Sequence, residues 1–197
     1  MYSYRYSYRA LRLVVVVLSV LGPTLVGAAT EASAQSFFSH LWGRSGPSRG
    51  VVSFDASYAP GQIIVSFGDR RLYWIHRRGV AISYPIAVPR AQSRWQGATV
   101  VSEKRVNPAW TPTADMRRED PRLPAYVPGG HPRNPLGVRA LYLGSTTYRI
   151  HGTDAPWTIG AAVSKGCIRL TNEDVLDLYA RAPVGTRVTV TWRRFLT

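Results

Sequence analysis

Two residues in this sequence are of types that do nucleophilic chemistry together. They are Cys167, the single cysteine of the chain, and His151, sixteen positions before it. A thiol with an ordinary pKa of about 8.5 is a poor nucleophile until a base takes its proton, and histidine is the usual base. The base needs a third group to hold one ring nitrogen and so fix tautomer and orientation. His151 ends a predicted strand, Thr147 to His151, which can hold its side chain rigidly, and Gly152 follows with nothing to obstruct the backbone. Gly166 precedes Cys167, so the amides of these two residues are candidates for an oxyanion hole. On spacing alone the bland alternatives stand beside this one: a satisfied histidine at a strand end, and a buried cysteine serving as a small hydrophobe.

The elements that must position these groups are short. Ile63 to Phe67 (IIVSF), Arg71 to His76 (RLYWIH) and Val80 to Val88 (VAISYPIAV) are separated by turns at Gly68-Asp69 and Arg77-Arg78-Gly79, which predicts an antiparallel meander. Strand signals resume at Ala140 to Leu143 and at Thr147 to His151, and Arg187 to Trp192 alternates apolar and polar residues at the end of the chain. One helix is predicted from about Glu173 to Arg181, with Thr171-Asn172 as polar caps, acids in the first turn and Pro183 beyond its end. Seven of the 14 prolines fall in residues 107–135, so this stretch is neither a central strand nor a long helix. A long irregular insertion of this kind is usually a functional loop or lid; the alternative is a surface excursion without a role.

The 197 residues suffice for one ordinary domain with an appendage. The formal net charge of +14 attracts polyanions, nucleic acid among them, but the first residues argue for another compartment. Residues 1–12 carry Arg5, Arg9 and Arg12 and no acid, Leu13 to Leu21 is apolar, and Ala32-Ser33-Ala34 fits a small-residue cleavage site. Residues 1–34 therefore read as a secretory signal peptide, with an uncleaved membrane anchor as the alternative. The mature chain would keep a charge of about +12, with no stable membrane span and no nucleic-acid partner expected. Residues 35–57 read as a flexible tether and 58–197 as the folded domain. One cysteine in an exported protein forms no internal disulfide, leaving buried ballast or a retained reactive thiol.

The stretch from Ile150 to Leu170 (IHGTDAPWTIGAAVSKGCIRL) carries more than a spacing. Its parts are His151-Gly152-Thr153, Pro156, Ile159-Gly160 and Ser164-Lys165-Gly166-Cys167-Ile168-Arg169. Asn172-Glu173-Asp174 follows and Asn134 to Leu143 (NPLGVRALYL) leads in. Together they resemble the L,D-transpeptidase (YkuD-type) catalytic domain over roughly residues 58–192. The resemblance implies a mainly-β sandwich or barrel with one short helix after the catalytic cysteine. It also implies that Cys167 attacks the carbonyl at the L-centre of the third residue of a peptidoglycan tetrapeptide stem, expelling the terminal D-Ala. His151 would take the thiol proton, the Gly152 carbonyl would orient the imidazole, and amides near Gly166 and Cys167 would hold the oxyanion. Ser164, Lys165 and Arg169 fall on the oxyanion and substrate side of the motif, Arg169 either meeting a substrate carboxylate or forming a structural ion pair. The thioester would pass to an amine on a second stem, to an envelope protein, or to water.

One departure is Lys165, where many members of that family carry His; its ammonium would either lower the thiol pKa or point into solvent. His40, His76 and His131 are in no metal-ligand arrangement and are expected at the surface, and neither a metal nor a cofactor is expected. Rival readings are an L,D-carboxypeptidase using the same cysteine and a wall-binding module with a dead site. A papain-like peptidase is a third, although there the cysteine precedes the histidine. The expected location is the periplasm or cell envelope, where a basic surface would gather carboxylate- and phosphate-bearing polymers.

Overall fold

Strand β2 (Ile63–Ser66) is buried on both faces, and the molecule is organised around it. The computed structural model describes residues 48–195. The expected signal peptide, the tether as far as residue 47, and His40 lie outside the described residues. Strands β1 (Gly50–Ser53), β2, β3 (Arg71–Arg77) and β4 (Val80–Pro85) form the first part of a nine-stranded sheet. β2, β3 and β4 make the antiparallel meander read from the turn signals. β11 (Arg187–Thr191) returns from the far end of the chain to lie parallel to β2.

The remaining strands carry the chemistry. β6 (Gly97–Val106) pairs with β11 through its first half and with β7 (Arg139–Leu143) through its second. The register shifts between Val101 and Glu103, and the hydroxyl of the intervening Ser102 donates to the Gly144 carbonyl at 2.7 Å. This bulge turns one half of the sheet away from the other. β7 pairs with β8 (Arg149–His151), and β10 (Ile168–Arg169) lies parallel to β8 at the sheet edge. β5 (Val88–Pro89) and β9 (Ala162–Ser164) form a separate two-stranded ribbon. Ile63, Val65, Leu141, Ile150, Ile168 and Val188 meet in one apolar core, closed by Val175 and Leu178 of the helix Asn172–Arg181. A smaller core on the outer face joins Ile64, Tyr73 and Ile75 to Phe54, Tyr58 and Phe195.

The fold is mainly β, as the sequence suggests, with two corrections. Residues 50–57 are not tether: β1 pairs with β4 from Gly50 opposite Ser83, and Phe54 packs on Tyr73 at 4.7 Å between ring centroids. The helix after Cys167 is also not the only one. A six-residue helix, α1 (Ala114–Glu119), lies within the proline-rich loop, its first turn capped by the Thr113 hydroxyl accepting from the Met116 amide. The helix Asn172–Arg181 is α2. Among the described residues, no helix is long and apolar enough to cross a membrane.

The loop 107–135 is fastened from within. Trp110 and Val127 form an isolated bridge. Asn134 is buried and its amide nitrogen donates to the Pro108 and Pro128 carbonyls at 2.8 and 3.0 Å, while its Oδ1 accepts from the Leu136 amide at 2.9 Å. Prolines cannot supply amide donors of their own, so one side chain closes both ends of the loop. Asn134→Ala is expected to cost about 2–3 kcal/mol by stranding these groups. It should also raise amide exchange across residues 109–127. Unchanged exchange there would mean that the loop is held by other contacts.

Candidate active site

His151 is the last residue of β8, between β7 and β10, and is buried. Its Nδ1 lies 2.6 Å from the Gly152 carbonyl, which can only accept, so Nδ1 carries the proton and Nε2 is left with its lone pair. Burial first, then the charges of Arg169 and Arg149, push the imidazole pKa down to about 3, against the raising effect of the Gly152 bond. At neutral pH the ring is a neutral acceptor held in one tautomer.

The Gly152 carbonyl is aimed by a residue in α2. Thr171, rather than Asn172, caps that helix by accepting from the Asp174 amide. Asn172 instead reaches across to β8 and the lead-in to β7, where its Oδ1 accepts from the Thr153 amide at 3.1 Å and the Val138 amide at 3.2 Å. A Cβ at either Gly152 or Gly137 would collide with that oxygen. These two glycines are needed for the space they leave, and Gly137 also for its φ of +63°.

Cys167 stands immediately before β10, in whose register Ile168 faces Ile150 and Arg169 faces His151. Ile150 and Ile168 point into the core. Alternation therefore puts Arg149, His151, Cys167 and Arg169 together on the opposite face. The thiol is partly exposed, with Sγ 4.0 Å from the Thr147 carbonyl. The expected histidine and cysteine are thus brought to one face of adjacent strands, although no hydrogen bond joins them among the described residues.

The turn that presents Cys167 is built around Gly166, whose φ is +119°. A Cβ there would strike the Tyr148 ring, which stacks on Trp95 at 4.8 Å, and the Trp95 indole donates to the Gly166 carbonyl at 3.2 Å. With that carbonyl held, the Gly166 and Cys167 amides donate to no group among the described residues and are available for an oxyanion.

Ser164 and Lys165 are placed differently from expectation. Ser164 is buried and its hydroxyl donates to the Cys167 carbonyl, bracing the turn. Lys165 neither points freely into solvent nor faces the thiol as a lone cation: its Nζ lies 2.6 Å from Glu119 at the end of α1. That ammonium holds the Glu119 carboxyl below its ordinary range. Arg169 forms no salt bridge among the described residues, and its Nε is buried without a partner, as is that of Arg149. His76 and His131 are at the surface, as expected.

The sequence alone marks Asn172 as a cap and assigns no role to Tyr148, Trp95, Glu119 or Arg149. A signal for Asn172 lay in the two glycines that give way to it, but only the packing of α2 on β8 relates them.

The comparisons with known proteins point to one family. The L,D-transpeptidase catalytic domain (YkuD) model matches residues 60–190. Over 135 residues the chain is 42% identical to an Escherichia coli K12 protein named "probable L,D-transpeptidase ErfK/SrfK", a match covering 65% of this chain and 43% of that protein. A Fuscovulum blasticum protein also named as an L,D-transpeptidase is 37% identical over 138 residues, covering 70% of this chain and 72% of its own. The chain thus spans less than half the length of the E. coli relative. The catalytic domain of the Enterococcus faecium L,D-transpeptidase superimposes with a TM-score of 0.52 at 18% identity, over 68% of this chain and 98% of that one, a likeness of fold.

Two outcomes follow from the geometry. The unfolded chain takes up a proton at the ordinary histidine value, near 6.5, whereas folded His151 resists until about pH 3. Its contribution to stability is therefore complete above pH 6.5 and lost as the pH falls toward 3, by about 1.4 kcal/mol per unit. Urea denaturation from pH 7 to 4.5 should show this slope, and His151→Gln should flatten it; equal slopes would refute the assignment. Asn172→Ala strands two amides and should cost about 2–3 kcal/mol, whereas Asn172→Asp, which keeps the accepting oxygen, should restore most of it. Equal losses in the two variants would show that Oδ1 is not the group that matters.

Proposed function

Because this chain belongs to the L,D-transpeptidase catalytic-domain family, we propose that it is a cysteine-dependent peptidoglycan L,D-transpeptidase acting in the cell envelope. The observation that carries this reading is a neutral, tautomer-fixed His151 on the same face as the one cysteine. Residues 1–34 are proposed as the signal peptide that exports it.

In the acylation step, His151 Nε2 takes the Cys167 proton as sulfur attacks the carbonyl of the third stem residue. A carbon–sulfur bond forms, and the oxyanion is received by the free amides of Gly166 and Cys167. As the intermediate collapses, the peptide carbon–nitrogen bond breaks and the imidazolium gives its proton to the departing amine. An acceptor amine then loses a proton to His151 and attacks the thioester. The new amide bond forms, the carbon–sulfur bond breaks, and His151 returns the proton to sulfur. The loop 107–135 is proposed as a lid over this site, in contact with the catalytic turn through Glu119 and Lys165. The high positive charge of the chain suits an anionic polymer as substrate.

One of the solved structures with this fold is the E. faecium catalytic domain acylated by ertapenem. Intact-mass measurement after incubation with a carbapenem is expected to give a single adduct on the purified protein and none on Cys167→Ala. An adduct on Cys167→Ala would sink the nucleophile assignment. With tetrapeptide muropeptides, cross-linked dimers are the expected product; accumulation of tripeptide alone would make the protein a carboxypeptidase. His151→Ala should slow acylation by about 10²–10⁴-fold, the usual worth of a positioned general base.

A further inference from the structure

The sheet face that carries His151 and Cys167 continues beyond them. In the pairing of β7 with β8, Ala140 lies opposite His151 and Tyr142 opposite Arg149. In the pairing of β6 with β7, Arg105 lies opposite Ala140 and Glu103 opposite Tyr142. One face therefore presents Arg105, Tyr142, Arg149, His151 and Arg169 in succession across four strands, with the core on the other side. The guanidinium of Arg149 lies 4.9 Å from the Tyr142 ring centroid, and that of Arg105 at the same distance. Such stacking holds a guanidinium in place without consuming its N–H groups.

The acids around this face are engaged elsewhere. Glu103 pairs with Arg105, and Glu119 pairs with Lys165. Asp154 is exposed and acts on Arg169 only at a distance. Neither Arg149 nor Arg169 has a carboxylate partner or any side-chain hydrogen bond among the described residues, and the Nε of each is buried without an acceptor. Burial strips water from the Arg169 guanidinium and Arg90 adds positive charge beside it, a cost that an anion arriving from outside offsets. Guanidinium groups bind carboxylates through paired, directional N–H bonds.

We propose that Arg149 and Arg169 form a carboxylate-binding subsite that receives the free terminal carboxylate of the residue expelled from the donor stem. This rests on the transpeptidase reading given above. The nitrogen that leaves must lie at His151 to be protonated, and only one carbon separates it from its carboxylate. Arg169 faces His151 directly in the sheet register. Arg149 is two residues back on the same strand face, about 6–7 Å away along the chain. A carboxylate next to the leaving nitrogen would therefore lie on the face that these two cations share. Arg149 acts as a specificity-determining residue, and a donor whose terminus is blocked loses the interaction.

The test compares a synthetic tetrapeptide stem bearing a free C-terminal carboxylate with its C-terminal amide, using the purified protein. The free acid is expected to be favoured by about 100-fold in kcat/KM, as befits a charged contact left unpaired in the blocked donor. In Arg149→Gln the preference should collapse to within about threefold, and Arg149→Lys should recover part of it, because the charge returns without the paired geometry. The pH midpoint for alkylation of Cys167 by iodoacetamide should match wild type in Arg149→Gln. A raised midpoint with an intact preference would mean that Arg149 serves the thiolate, and would overturn the proposal. Equal turnover of both donors by wild type would sink the subsite alone. Turnover of neither, with the thiol still alkylated, would sink the transpeptidase reading and the subsite with it.

Discussion

The site depends on one oxygen atom, Oδ1 of Asn172. It lies where Gly137 and Gly152 have no side chains and binds the amides of Val138 and Thr153. The end of β8, the approach to β7 and the first turn of α2 are thereby joined at one point. With the Thr153 amide held, the peptide that carries the Gly152 carbonyl cannot rotate freely, and that carbonyl is what accepts from His151 Nδ1. The tautomer of the base is thus decided by a side chain from the following helix. The anchor is a backbone carbonyl rather than a carboxylate, so it orients the ring without adding a negative charge to a buried place.

The electrostatics of the site follow from that choice. A buried imidazole near two guanidinium groups is kept neutral, which preserves its ability to accept a proton but makes it a weak base on its own. A sulfur anion on the same face reverses the argument: it favours both the imidazolium and the two arginines. The turn at Gly166 contributes by the same logic, because two undirected amides stabilise negative charge only when it forms.

Much of this was legible in the sequence. The meander, β7, β8, β11 and α2 all follow alternation or helical periodicity with clear turn residues, and each buries an apolar face. What escaped had no such signal. β6 has one buried residue in ten, Val101, because each half serves a different part of the sheet and its outer face is charged. α1 buries nothing and stands among prolines that argue against any helix. β1 is only half covered, so Val51 and Ser53 look like linker residues. The motif residues His151, Gly152, Gly166 and Cys167 stand out in the sequence because chemistry restricts their types and order along the chain. Arg149 and Glu119 do not, since what they touch lies across the sheet or 46 positions away.

Lys165 illustrates why identity within a motif is not enough to assign a role. It stands two positions before the nucleophile, and an ammonium there would by itself favour the thiolate. Its Nζ is instead bound to Glu119, so the pair presents nearly no net charge to the sulfur. The uncompensated positive charge that acts on Cys167 is that of Arg169, which has no salt bridge among the described residues. The division of labour is physically reasonable. A flexible ammonium paired with an exposed carboxylate is readily screened and rearranged, which suits a contact between a loop and a turn. A guanidinium stacked on an aromatic ring in a strand, as that of Arg149 is on Tyr142, keeps its position, which suits a charge that must meet one carboxylate.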